Sequence, residues 1–328
     1  MLEYDREFQR RIRREMRRRK IRRERMIGAG TLIAVVLGGA FFLWPSGMPA
    51  SGTTGPGDHH RPKPPPPPQL PRGGRVIFPH YRVVAFDGAP QDPGLGALGI
   101  GTPDQAAARL LAKADRYARP GRPVLPAMEL ITTVAQADPG VDGMYRMRQS
   151  DAVIGRYLAA ARRVHALLLL DIQPGRSSFL SELRAYRRWL RQPDVGVALD
   201  PEWSIRPGQK PGAVIGWTDG AAISRVARAL SHIVARGDLP QKLLLVHRFT
   251  VDMIHHPRLA HGAPGVAVAY NIDGYGDPPN KIAKYRQLAQ RGTGIYNGFK
   301  LFFHEDTGLM PAGAVLALRP SPDVIVYE

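Results

Sequence analysis

Asp87, Glu129, Asp171, Asp200, His247 and Asn271 share one position in the chain: each closes a short run of apolar residues. The runs read VVAF, VLPAM, ALLLL, VGVAL, KLLLV and VAVAY. Carboxylates and imidazoles at the ends of buried strands are costly unless they are paired or used, and such groups move protons in catalysis. Three of these ends repeat a polar–x–polar spacing: Asp171 with Gln173, Asp200 with Glu202, and Asn271 with Asp273. Alternate residues of an extended strand point to one side, roughly 6–7 Å apart, so Asp200 and Glu202 are expected on one face. A further polar cluster, His304, Glu305 and Asp306, follows the apolar stretch FKLFF, and Tyr327 closes the last run. Trp203 stands directly behind the acid pair, with Trp217, Tyr270, Tyr275 and Asn297 near other strand ends. Flat aromatic faces beside carboxylates suit a sugar ring, whose C–H face stacks while its hydroxyls hydrogen-bond.

The elements that must position these groups follow from the same runs. Strands are expected at 82–86, 123–130, 166–171, 195–200, 241–247, 265–271, 299–303 and 322–327. Amphipathic stretches at 103–118, 148–164, 177–191, 219–236 and 278–291 separate most of them, and Thr102–Pro103 and Ser177 are helix-start signals. Continuous apolar strands alternating with helices imply parallel strands covered on both faces. Eight strands in about 255 residues match the size of a (β/α)8, TIM-type barrel, which carries its chemistry at the C-terminal strand ends. The fifth and seventh helices are short or absent in the pattern. A doubly wound open sheet is the alternative. No GxGxxG turn follows a strand; GLGALGIG at 94–101 has irregular spacing, so a nucleotide cofactor is not expected.

Upstream, the composition changes. The net charge of +18 is unevenly spread, with 15 Lys/Arg against 6 Asp/Glu in residues 1–73 alone. Residues 1–25 form a basic segment that could be a nucleic-acid arm, but residues 26–44, MIGAGTLIAVVLGGAFFLW, carry no charge. Nineteen residues at ~1.5 Å each span one hydrocarbon core. Arginines on its N-terminal side favour a cytoplasmic N-terminus. The expectation is a single-pass signal anchor, with a cleaved signal peptide as the alternative and nucleic acid excluded as a partner. Residues 45–74, rich in Gly and Pro with an unbroken PPPPP, read as an extended spacer. Residues 75–328 form the barrel domain, held outside the cytoplasm. The absence of cysteine rules out disulfides, thiolate metal sites and a cysteine nucleophile.

LDPEW at 199–203 resembles the Asp-x-Glu signature that ends the fourth strand of chitinase- and muramidase-type glycoside hydrolases. The resemblance implies Glu202 as general acid and Asp200 as its partner, and Asp87 matches an acid found in the muramidases. The chain departs from the chitinase pattern at Ala198 and Pro201. The domain also resembles uncharacterised extracytoplasmic barrel proteins of high-GC Gram-positive bacteria, through PAMELI, LLLDIQPGRS, ALDPEW, LPQKLLLVH and NIDGYG. Glycoside cleavage uses two carboxyl groups, ~5–5.5 Å apart for retention or ~6.5–9.5 Å for inversion. Glu202, Asp200, Glu129 and Asp171 are the catalytic candidates. Asp87, Gln173, Trp203, His247, Asn271, Asp273 and Tyr327 are the substrate-binding candidates, and cell-envelope polysaccharide is the expected partner. Two other readings stay open. One is a barrel of the same ancestry that binds glycan or a protein without turnover. The other is a metal-dependent hydrolase using His247, Asp171, Asp200 and His304, although no HxH or HExxH spacing supports a metal and none is expected.

Overall fold

The computed structural model describes residues 66–328. The basic segment, the apolar span and most of the spacer lie outside the described residues. Among the described residues, no helix is long and apolar enough to cross a membrane.

Eight parallel strands close into a barrel. They are β1 (Arg82–Gly88), β2 (Val124–Ala135), β3 (Leu167–Ile172), β4 (Val195–Leu199), β5 (Lys242–Arg248), β6 (Val266–Ile272), β7 (Tyr296–Leu301) and β8 (Val324–Tyr327). Each pairs in parallel with the next, and β8 returns to β1 through Val83 to Val324 and Phe86 to Tyr327. Closure rules out the open doubly wound sheet. The helices are α1 (Pro103–Ala114), α2 (Asp151–Arg163), α3 (Phe179–Ala185), α4 (Arg187–Leu190), α5 (Gly220–Gly237), α6 (Pro278–Leu288) and α7 (Ala312–Leu316). Local chemistry starts them: Thr102 and Gln105 make a reciprocal capping box, and Ser150, Ser178, Asp219 and Asp277 accept the first free N–H groups. After β5 the described residues form no α-helix before the next barrel strand, only 3₁₀ turns at Val251–Met253 and Pro257–Leu259 with the short strand Ile254–His255 between them, and α7 is five residues long. The weak fifth and seventh helical patterns reflect real gaps in the outer layer.

Alternation along each strand sorts its residues into two cores. Val84, Phe86, Met128, Leu168, Leu170, Val197, Leu199, Leu244, Val246, Val268, Phe299 and Ile325 face out and pack with the helices. Val83, Ala85, Leu125, Ala127, Leu167, Leu169, Ala198, Leu243, Leu245, Ala267, Ala269, Val324 and Val326 face in and fill the lower barrel. Glycines stand at two inward positions because no side chain fits there. A Cβ on Gly196 would meet Leu243 O at 2.9 Å, and one on Gly298 would meet Asn271 Oδ1 at 2.7 Å.

The N-terminal floor is closed by Leu70, Ile77 and Phe78, all buried in this inner core. The Phe78 ring lies 4.4 Å from that of Tyr296, and Gln241 Oε1 accepts from the backbone of Ile77 at 2.7 Å. Leu70 falls within the stretch read as spacer. A leucine four residues before the expected boundary is enough to dock the chain under the barrel.

Candidate functional site

The site is the third inward layer. Two residues past the last non-polar inward position, seven of the eight strands place a polar group: Asp87 after Ala85, Glu129 after Ala127, Asp171 after Leu169, Asp200 after Ala198, His247 after Leu245, Asn271 after Ala269, and Lys300 after Gly298. All are buried, with Glu129 and Asn271 at 0% exposure and Asp200 at 9%. Strand alternation thus carries one face from an apolar plug into a polar layer without changing direction.

His247 is the hub. Its Nδ1 lies 2.7 Å from Asp273 Oδ2 and its Nε2 lies 2.7 Å from Glu129 Oε1. Asn271 Nδ2 donates to the other Asp273 oxygen at 2.8 Å. Burial opposes charge on the imidazole, but the carboxylates of Asp273 and Glu129 outweigh it, and its pKa is raised well above the usual value. Lys300 Nζ donates to Asp87 Oδ2 at 2.8 Å and reaches Glu328 Oε2 at 2.9 Å, with Asp273 Oδ2 at 3.8 Å. Burial again opposes the charge, and Asp87 and Glu328 reverse the effect, raising the lysine pKa. Burial raises Asp87 to about 7 despite Lys300. It also holds Asp171 well above the carboxylate range. Asp200 is raised by burial first and by the charge of Glu202 second. Gln173 Nε2 donates to Asp200 Oδ2 at 3.3 Å while its carbonyl oxygen accepts from Ala135 N.

Asp200 and Glu202 do not share an extended face. The strand stops at Leu199 and Pro201–Trp203 form a 3₁₀ turn, because proline cannot continue the ladder. Asp200 therefore points into the buried layer, while Glu202 and Trp203 are half-buried above it. Tyr327 lies away from the others: it faces the helix layer, with its hydroxyl 2.6 Å from that of Tyr117 and its ring stacked on Phe303. Tyr270 is also an outward core residue, and Asn297 bonds the loop at Gln290 beneath the barrel. Trp217 stacks on His255 at 4.1 Å, under the Arg206 guanidinium.

Lys300 and Glu328 are the residues the sequence reading missed. The seventh strand runs Tyr296–Leu301 rather than 299–303, so its inward end is Lys300 and not His304–Asp306. Asp306 instead pairs with Lys281 at 3.0 Å and accepts from Phe302 N, tying a loop. The available signal was the lysine itself, set between Phe299 and Leu301 at even spacing from Gly298. As for metals, Glu129, Asp171 and His247 each bring one ligating atom within 4.8 Å of the others.

No protein-family model matches the chain, and no curated protein does. Among solved structures it is similar to the spore coat polysaccharide biosynthesis protein spsE of Bacillus subtilis, at 13% identity and a TM-score of 0.41 over 75% of this chain. It is also similar to the HPPK-DHPS of Plasmodium falciparum solved with pteroate, at 6% identity and a TM-score of 0.34 over 79% of this chain. The chain spans 59% and 45% of those two chains, less than two thirds of either. The barrel assignment rests on its own strand pairing, and a shared barrel does not transfer chemistry.

Proposed function

We propose that the barrel is a carbohydrate-active hydrolase of the cell envelope, with Glu202 as the proton donor and Asp200 as its buried partner. The apolar span 26–44 and the spacer after it would hold the barrel outside the cytoplasm, facing wall polysaccharide. One observation carries the reading: Asp200, whose pKa is raised by burial and by the charge of Glu202, neighbours that half-buried glutamate at the end of its strand. Repulsion between the two carboxyls favours one proton held by the pair, which Glu202 can pass to the glycosidic oxygen as water adds to the sugar carbon and the C–O bond breaks. Trp203 offers the ring face for a sugar.

A second reading, glycan binding without turnover, is favoured by a different observation. The expected catalytic partners Glu129 and Asp171 are 0% and 1% exposed, leaving Glu202 as the accessible member of the four. Cleavage of wall fragments by wild type and Glu202→Gln separates the two. General-acid loss is expected to lower the rate ~10²–10⁴-fold with folding unchanged. Binding of fragments without any cleavage by wild type would favour the second reading, and undiminished cleavage by a folded Glu202→Gln protein would remove Glu202 from the mechanism.

A further inference from the structure

Glu129, Asp171 and His247 come from β2, β3 and β5, and their ligating atoms lie within 4.8 Å of one another. Two observations set them apart from an ordinary buried ion pair. The first is a set of unpaired oxygens. Glu129 Oε2 and Asp171 Oδ1 are fully buried with no hydrogen-bond partner, and Asp87 Oδ1 and Asn271 Oδ1 in the same layer are likewise unpaired. Each unpaired atom of this inward layer is an acceptor; none is a nitrogen donor. A buried polar atom left alone is costly. A cation relieves several acceptors at once.

The second observation is the setting of His247. Its Nδ1 faces a carboxylate, Asp273 Oδ2 at 2.7 Å, and Asp273 is itself held by Asn271 Nδ2 at 2.8 Å. Its Nε2 lies 2.7 Å from Glu129 Oε1, and a metal ion taking that position would release the proton shared between them. A carboxylate behind the imidazole and oxygen ligands ahead of it is how metal-binding histidines are oriented.

We propose that Glu129, Asp171 and His247 bind a single divalent metal ion of the zinc class, with Asp273 orienting the imidazole. One nitrogen and two carboxylate ligands match zinc sites that keep a further position for water or substrate. The imidazole disfavours magnesium and calcium, which prefer all-oxygen shells. Nothing in this site depends on the role given to Glu202, so the two readings fail separately.

The test uses the full-length protein, stripped with chelator and titrated by calorimetry with zinc chloride and, separately, magnesium chloride. One equivalent of zinc is expected to bind, about 100-fold or more tighter than magnesium. Asp171→Asn and Glu129→Gln should each weaken zinc by about 100-fold or more, and Asp273→Asn, which touches no metal, by ~10–100-fold. His304→Ala, on a loop outside the layer, should leave the affinity unchanged and controls for stray histidines. Melting curves identify any variant that fails to fold; the three substitutions are near-isosteric, and one folded variant suffices. No zinc binding by wild type would overturn the site, as would zinc binding equally well to a folded Asp171→Asn or Glu129→Gln protein. Water or shared protons would then satisfy the unpaired oxygens.

Discussion

Of the three buried lysines among the described residues, Lys242 and Lys300 lie at opposite ends of the barrel, and burial has opposite outcomes for them. Lys242 starts β5 at the N-terminal end, where its Nζ donates to the carbonyls of Gln192 and Val195 at 2.8 and 2.7 Å. No carboxylate bonds it, and burial lowers its pKa to about 7. Lys300 sits near the C-terminal end among Asp87, Glu328 and Asp273, and its pKa is raised. Desolvation acts on both; what differs is whether carboxylates surround the nitrogen. The mouth of the barrel is built to hold charge, whereas the floor tolerates a lysine best as a neutral amine.

The strongest way to break this comparison is Lys300→Met, which strands Asp87 and Glu328 in a buried layer. A loss of ~3–5 kcal/mol in chemical unfolding is expected, and a near-neutral result would mean the mouth is far wetter than its burial implies. pH sharpens the contrast. Lys242 has a folded pKa near 7, below its ordinary 10.5, so the unfolded chain binds more protons between those values and stability rises with pH there. Wild type should gain on the order of 2 kcal/mol relative to Lys242→Met from pH 7 to 10. Lys300 has the opposite sign: its contribution is complete below pH 10.5 and is lost as pH rises through its higher folded value. A wild-type curve parallel to that of Lys242→Met would show that the floor lysine stays charged.

Smaller effects probe the floor and the outer layer. Leu70→Ala should cost about 2 kcal/mol, as a buried leucine at the edge of the inner core. No change in melting would return residue 70 to the spacer. Tyr327→Phe removes one buried hydroxyl pair with Tyr117 and should cost ~1 kcal/mol, with no effect on glycan affinity. A loss of affinity with unchanged stability would bring Tyr327 back to the mouth.

Much of the site was legible because polar groups closed apolar runs. Asp87, Glu129, Asp171, Asp200, His247 and Asn271 were each visible that way, and each faces into one layer. Tyr327 closed a run too, but on the other parity: Val324 and Val326 face in, so Tyr327 faces out. Counting alternation from the apolar plug would have separated it. Lys300 was harder, since FKLFF is apolar around its lysine and local composition does not say where the strand ends.

What the sequence determined alone was the alternation of eight apolar runs with helical segments, the gaps after the fifth and seventh strands, and the acids waiting at the ends. Those are local properties, set by side-chain type and period. Tertiary structure decided the rest. Pairing with β6 and β8 fixed the span of β7 and so brought Lys300 into the layer. Closure of β8 onto β1 assembled residues from Asp87 to Glu328 around one axis. The turn at Pro201 separated Asp200 from Glu202. Burial then raised the pKa values of Asp171 and Asp200, because desolvation depends on what surrounds a carboxyl group in space, which its neighbours in the chain do not specify.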